Sequence, residues 1–240
     1  MKLGISMLVL SAGIFVSCDP ATMKSAMGTL GQKTEPSSQE VGMGLKEALQ
    51  LGVGEGVALL SAKDGYYKSP YKILLPPEAR KVSEKLKVIP LYSKLEDVVI
   101  EKINRAAEDA ALKAKPIFVS AIREISFADA WSILRGGQNA ATTYLKDKTY
   151  DRLYQEFNPI IITSLDKFEA RKYWGDAVNS YNKIPFLKEK ANPRLDDYVT
   201  KEALNGLFAM VEQKEKDIRE NPVARISELL RFVFSRQDKK

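Results

Sequence analysis

From Leu45 to Phe234 the apolar residues of this chain return at three- and four-residue steps, and no stretch alternates apolar with polar as a half-buried strand would. That periodicity restricts the chain to packed amphipathic helices. Leu45, Ala48, Leu49, Val53, Val57 and Leu60 make the first stripe. Residues 61–77 interrupt it with Asp64-Gly65-Tyr66-Tyr67 and prolines at 70, 76 and 77. A short helix is expected over Glu78–Leu86. Ser93 with Glu96 reads as a capping box opening a long helix striped by Leu95, Val98, Val99, Ile103, Ala106, Ala107 and Ala110. Pro116 should kink or restart that helix before Ile117–Ile125. Ser126 with Asp129 reads as a second box, starting Phe127–Leu134, which Gly136-Gly137 stops. Further helices are expected over Asn139–Lys148, Tyr150–Phe168 (kinked at Pro159) and Ala170–Asn182. The last two are a long one capped by Thr200 and a final one after Asn221-Pro222 that includes Val223 and Ile226. The best strand candidate, Lys72–Leu75, is too short for a sheet. The fold class is all-α: one domain of roughly nine helices over 40–235, with a disordered tail at 236–240.

The beginning of the chain has a different character. Lys2 precedes an uncharged, mostly apolar run, Leu3–Val16, which ends at Ser17-Cys18. This reads as a lipoprotein signal peptide, 1–17, with lipidation of Cys18 and cleavage before it. The run is too short for a comfortable transmembrane helix. Residues 18–39 are polar and read as a flexible tether; about 20 such residues reach ~25 Å as a coil. The expected location is exported and anchored to a membrane.

Composition removes whole classes of chemistry. The 240 residues contain no histidine and one cysteine. There is then no Ser-His-Asp or Cys-His catalysis and no HExxH zinc site. Cys18, used as the anchor, leaves no disulfide and no Cys-ligated metal. No cofactor or metal is expected. The net charge of +6 mixes both signs along the chain, as a solvated surface does. Nucleic acid is not expected as a partner. Gly52-Val53-Gly54-Glu55-Gly56 follows a helix rather than a strand and lacks GxGxxG spacing, so it suits close helix packing.

Two groups of residues are candidates for binding or for a structural cluster. In the first, Gly65 suits a turn with positive φ, and Asp64 suits a local side-chain turn. Tyr66 and Tyr67 should point different ways, one packing inward. Asn104 and Glu108 share a helix face with Arg105 beside them. The loop would fold over that face, with a tyrosine on the alanine surface at 106 and 107. The second group, Asp129, Arg135, Thr142 and Tyr144, surrounds the Gly136-Gly137 turn, where Thr142 can bond back to a helix carbonyl. The adjacent carboxylates Glu96-Asp97, Glu108-Asp109 and Asp196-Asp197 splay about 100° apart on a helix, so none is a ready catalytic pair.

At these residues the chain resembles a bacterial family, domain of unknown function 4197. The resemblance runs through Asp64-Gly-Tyr-Tyr, Lys72-Ile with Pro76, and Asn104-Arg-Ala-Ala-Glu108. It continues through Ala114-Lys-Pro-Ile-Phe118, Asp129-Ala130, Ile133-Leu134 with Gly136, and Ala140-Ala-Thr142 with Tyr144. It ends with Phe157-x-Pro159, Asp197-Tyr-Val-Thr200, Ala203-Leu with Gly206-Leu-Phe208, and Ile218-Arg with Asn221-Pro222. The chain departs from the family pattern at Ser69, usually asparagine, and at Leu74, usually proline. Members are mostly exported proteins of Gram-negative bacteria, often with a lipoprotein-type start, which agrees with Cys18 and implies a membrane-anchored position facing the periplasm, inner and outer membrane both open. The resemblance implies no catalytic residue. The expectation is therefore a lipid-anchored envelope protein that binds a partner protein, a lipid or a wall fragment. The alternatives are a carboxylate-dependent glycosidase acting on peptidoglycan and a purely structural envelope protein. Against the glycosidase, the chain has no Glu-Ser dipeptide, which all-α lytic transglycosylases usually carry around their catalytic glutamate.

Overall fold

The structure is a computed structural model that describes residues 35–126, 128, 130–187 and 189–238. The signal peptide, Cys18, the tether up to residue 34, and Asp129 lie outside the described residues. The compact unit is Ser37–Lys240, and its buried apolar side chains run from Val41 to Phe234. Eight α-helices are described: α1 Ser38–Leu60, α2 Pro77–Leu86, α3 Leu95–Glu124, α4 Ala130–Arg135, α5 Ala140–Lys167, α6 Ala170–Asn182, α7 Asp196–Glu220 and α8 Glu228–Phe234. No strand occurs among the described residues, so the fold is all-α, close to the nine helices expected.

The four long helices form a ring in which α1 packs on α3 and α7, and α5 packs on the same two. Small residues let them approach. Ala106, Ala107, Ala110, Ala111 and Ala114 of α3 are fully buried. On α1, a Cβ at Gly52 would lie 2.9 Å from the Val211 Cα, and one at Gly56 would lie 2.8 Å from the Met210 Cβ. Those glycines set the closeness of α1 to α7. Helices α2 and α6 pack on each other and on α3, while α4 and α8 pack on α1. α3 spans 30 residues, ~45 Å at the helical rise.

Several boundaries differ from the sequence-based expectation, each for a local reason. The domain starts at a capping box the sequence reading missed: Ser37 Oγ accepts from the Glu40 N–H, and Glu40 accepts from the Ser37 N–H. The Ser93–Glu96 box does not form. Ser93 instead donates to the Pro90 carbonyl at 2.9 Å, inside the tight turn that precedes α3. Pro116 and Pro159 interrupt neither α3 nor α5. Both rings are on exposed faces, as are Leu112 and Gln155, whose carbonyls lose their helical donors. The helices expected over Asn139–Lys148 and Tyr150–Phe168 are one helix, α5, which runs through residue 149. Thr200 is inside α7 and donates to the Asp196 carbonyl at 2.7 Å rather than capping the helix. The final helix begins at Glu228, capped by Ser227. Val223 and Ile226 are left exposed, because buried Arg225 takes the last carbonyls of α7, at Ile218 and Arg219. The expected tail is also partly ordered: Asp238 receives two hydrogen bonds from Arg225, at 2.9 and 2.6 Å.

Candidate functional site

Residues 61–76 satisfy several backbone N–H groups in their own turns, which leaves those of Tyr66, Tyr67 and Ile73 to find partners from elsewhere. One turn of α3 supplies them. Glu108 Oε1 accepts from the Tyr66 and Tyr67 N–H groups at 3.2 and 3.0 Å. One helical turn earlier, Asn104 brackets Ile73. Its Oδ1 accepts from the Ile73 N–H at 2.8 Å, and its Nδ2 donates to the Ile73 carbonyl at 2.8 Å. The amide thus pairs with the extended Lys72–Leu75 segment as a neighbouring strand would. Nδ2 also donates to the Ile100 carbonyl, so both donors of this buried side chain are used.

Arg105 closes the network. It donates to Glu108 Oε2 at 2.9 Å and to Asp64 Oδ1 at 2.7 Å. Its guanidinium lies 4.9 Å from the Tyr67 ring centre, and Lys72 Nζ lies 4.8 Å from the same ring. The hydrogen bonds from Arg105 and then Lys68 hold the Asp64 carboxyl below the usual carboxylate range.

The two tyrosines separate. Tyr66 is fully buried. Its hydroxyl donates to the Ala203 carbonyl of α7 at 2.7 Å. A Cβ at Gly206 would stand 2.8 Å from its ring. The seat for the buried tyrosine is therefore the Ala203–Gly206 turn of α7, and the partner is Tyr66, whereas Tyr67 is half-buried between cations. The left-handed residue is Asp64, at φ 70, and not Gly65. Gly65 is needed for space: a Cβ there would lie 2.3 Å from the Leu59 carbonyl oxygen.

The second group does not converge. Thr142 Oγ1 donates to Glu215 of α7 at 2.6 Å, not to a helix carbonyl. Tyr144 donates to the Ser126 carbonyl at 2.8 Å. Arg135 lies over the Trp131 ring, 4.8 Å from its centre. The Glu108-Asp109 pair splays: Asp109 turns to α5, accepting from Ser164 at 2.8 Å and pairing with Lys167.

Glu215 was missed by sequence reasoning, and it builds a second buried network. It is fully buried. Its oxygens accept from the Ala141 and Thr142 N–H groups at the start of α5, at 3.0 and 2.7 Å. A carboxylate there also meets the positive end of the α5 dipole. Arg219 donates to Glu215 at 2.8 Å and to the Leu134 carbonyl at 2.6 Å. A signal existed in the spacing, since Glu215 and Arg219 are four apart on one helix face.

A groove of about 350 Å³ opens elsewhere, between α2, α6 and the 189–195 segment. Pro76, Ala79, Val82, Trp174, Tyr181 and Leu195 give it an apolar wall. Lys81, Lys190 and Arg194 line it with Glu78 and Glu189. Trp174 is buried, and its indole N–H has no hydrogen-bond partner among the described residues. Neither Glu108 nor Glu215 lines this groove.

The fold and its contacts define a single helical domain whose irregular loop is pinned by α3, with an open groove on the α2–α6 flank. The family described as protein of unknown function (DUF4197) matches residues 35–235. The chain belongs to that family. Comparison with curated proteins and with solved structures gave no match. No helix among the described residues is long and apolar enough to cross a membrane.

Proposed function

We propose that this chain is a lipid-anchored binding protein of a bacterial cell envelope, held by Cys18 and presenting the α2–α6 groove to a ligand. The observation that carries the binding role is the unpartnered N–H of Trp174 in a side chain that lines an open groove. A buried donor without an acceptor costs roughly 1–3 kcal/mol, and a ligand oxygen would recover that once the groove wall shifts to expose the N–H. The apolar wall suits a carbon chain or ring, and the three cations suit an acidic head group, as in a lipid or a wall fragment. The buried carboxylates support binding over glycoside hydrolysis, because each is engaged by neighbouring N–H donors. The anchor is supported by the apolar run that ends at Cys18.

Two experiments test the two halves. Cells fed a labelled fatty acid should label the wild type, and Cys18→Ser should lose both label and membrane retention; a labelled Cys18→Ser protein ends the lipoprotein reading. For the groove, laurate and a muropeptide digest serve as probes in thermal unfolding. One of them should raise the wild-type midpoint and lose that effect in Trp174→Phe. No shift with either probe overturns the groove as a site for these ligands.

A further inference from the structure

We infer that the segment between α2 and α3 is a membrane-contacting tip that recognises anionic lipid. Val88, Ile89 and Leu91 are consecutive exposed apolar side chains around Pro90, at 86%, 38% and 72% exposure. Residues 85–94 carry three lysines, Lys85, Lys87 and Lys94, and no acid. All three lysines are exposed and form no ion pair with a described residue. Glu84, Glu96 and Asp97 line the cleft beside the tip together with Lys87 and Lys94, and Glu96 is 4.0 Å from Arg80.

A second apolar side chain belongs to the same end. Phe186 is fully exposed with φ 60, in the loop that follows α6, next to exposed Lys183 and Lys190. Tyr92, at the base of the tip, hydrogen-bonds Ser180 near the end of α6 at 3.0 Å.

Exposed apolar side chains with unpaired lysines beside them suit the boundary between acyl chains and acidic head groups. Exposure alone does not single out this tip, because Val223 and Ile226 are also exposed. Those two are flanked by Glu220 and Glu228, the opposite charge for such a surface. The tip adjoins the first turn of α3. The chain enters at the other end of that helix, where Lys46 of α1 donates to the Arg123 carbonyl. With Cys18 lipidated, residues 19–36 drawn out span ~60 Å, more than the ~45 Å of α3. Tip and anchor can therefore share one membrane.

The test uses residues 35–240, which hold the whole core and lack Cys18, so the outcome does not depend on lipidation. The protein is sedimented with vesicles of phosphatidylcholine, alone or with 30 mol% phosphatidylglycerol. Binding should appear with the anionic vesicles and weaken with salt. Val88→Ser/Leu91→Ser should lower it roughly tenfold, and Lys85→Glu/Lys87→Glu at least as much. Both variants should keep the wild-type unfolding midpoint, since they change exposed side chains. Three outcomes overturn the proposal: no binding to anionic vesicles, equal binding by the variants, or a concentration-dependent dimer that Val88→Ser/Leu91→Ser abolishes.

Discussion

The 61–76 loop and the 183–195 loop are both proline-containing connections without regular structure, yet they are held to different degrees. In the first, Tyr66, Tyr67 and Ile73 bond to α3 side chains, and Tyr66 is sealed against α7. In the second, Asn182 brackets the Ala191 carbonyl and N–H at 3.1 and 2.9 Å, but a groove opens, Phe186 stands in solvent, and the Trp174 N–H has no partner among the described residues. The contrast separates residue clusters that hold a fold from surfaces that can receive something. A polar cluster whose capacity is consumed internally is scaffold, however suggestive its residue types.

The largest effect that could break this contrast is at Tyr66. Tyr66→Ala should cost ~3–5 kcal/mol in denaturant unfolding, as deletion of a buried aromatic does. Tyr67→Ala, which loses cation contacts on a half-buried ring, should cost ~1 kcal/mol. Equal costs would mean the two tyrosines do not divide as the structure has them. Next comes Asn104→Ala, expected to cost ~1–3 kcal/mol by stripping Ile73 of its partners. Combined with Tyr66→Ala it should cost less than the sum, because both hold one loop. Additive losses would mean the loop is not one unit.

Acid should loosen the paired region through its carboxylates. Bonds from Arg105 and Lys68 lower the Asp64 pKa from 3.8. At Asp109, burial raises it, but bonds from Lys167 and Ser164 outweigh that and lower it overall. A lowered folded pKa means the unfolded chain binds more protons between the two values. Stability is therefore full above about pH 4 and falls as pH drops through the lowered pKa values. Asp64→Asn should flatten part of that fall; an unchanged acid limb would remove Asp64 from the account. The smallest effects belong to the groove: Lys190→Ala and Arg194→Ala should shift stability by no more than ~0.5 kcal/mol. A larger loss would make the groove wall part of the scaffold.

The helices were legible because a buried stripe repeats every turn, and α1, α3 and α7 each carry one. Asn104 and Glu108 were legible as one face for the same reason. Which tyrosine turned inward was not, because neighbours in a loop have no period; the clearance at Gly206 decides it, 140 residues away in the chain. α3 and α5 run on through Pro116 and Pro159 because the residues whose carbonyls the prolines free, Leu112 and Gln155, are exposed. The Glu215 network was hidden because its N–H donors are on α5 and its carboxylate is on α7. The groove was unreadable for a similar reason, since α2, α6 and the 189–195 segment meet only in three dimensions.

Backbone hydrogen exchange of residues 35–240 tests the central contrast most directly. The Tyr66, Tyr67 and Ile73 amides have no secondary structure around them, only the Glu108 and Asn104 side chains. If those side chains hold the fold, the three amides open only in near-global unfolding and exchange as slowly as the middle of α3. The Phe186 and Leu187 amides should exchange orders of magnitude faster. Exchange of Tyr66, Tyr67 and Ile73 as fast as that of Phe186 would contradict the account.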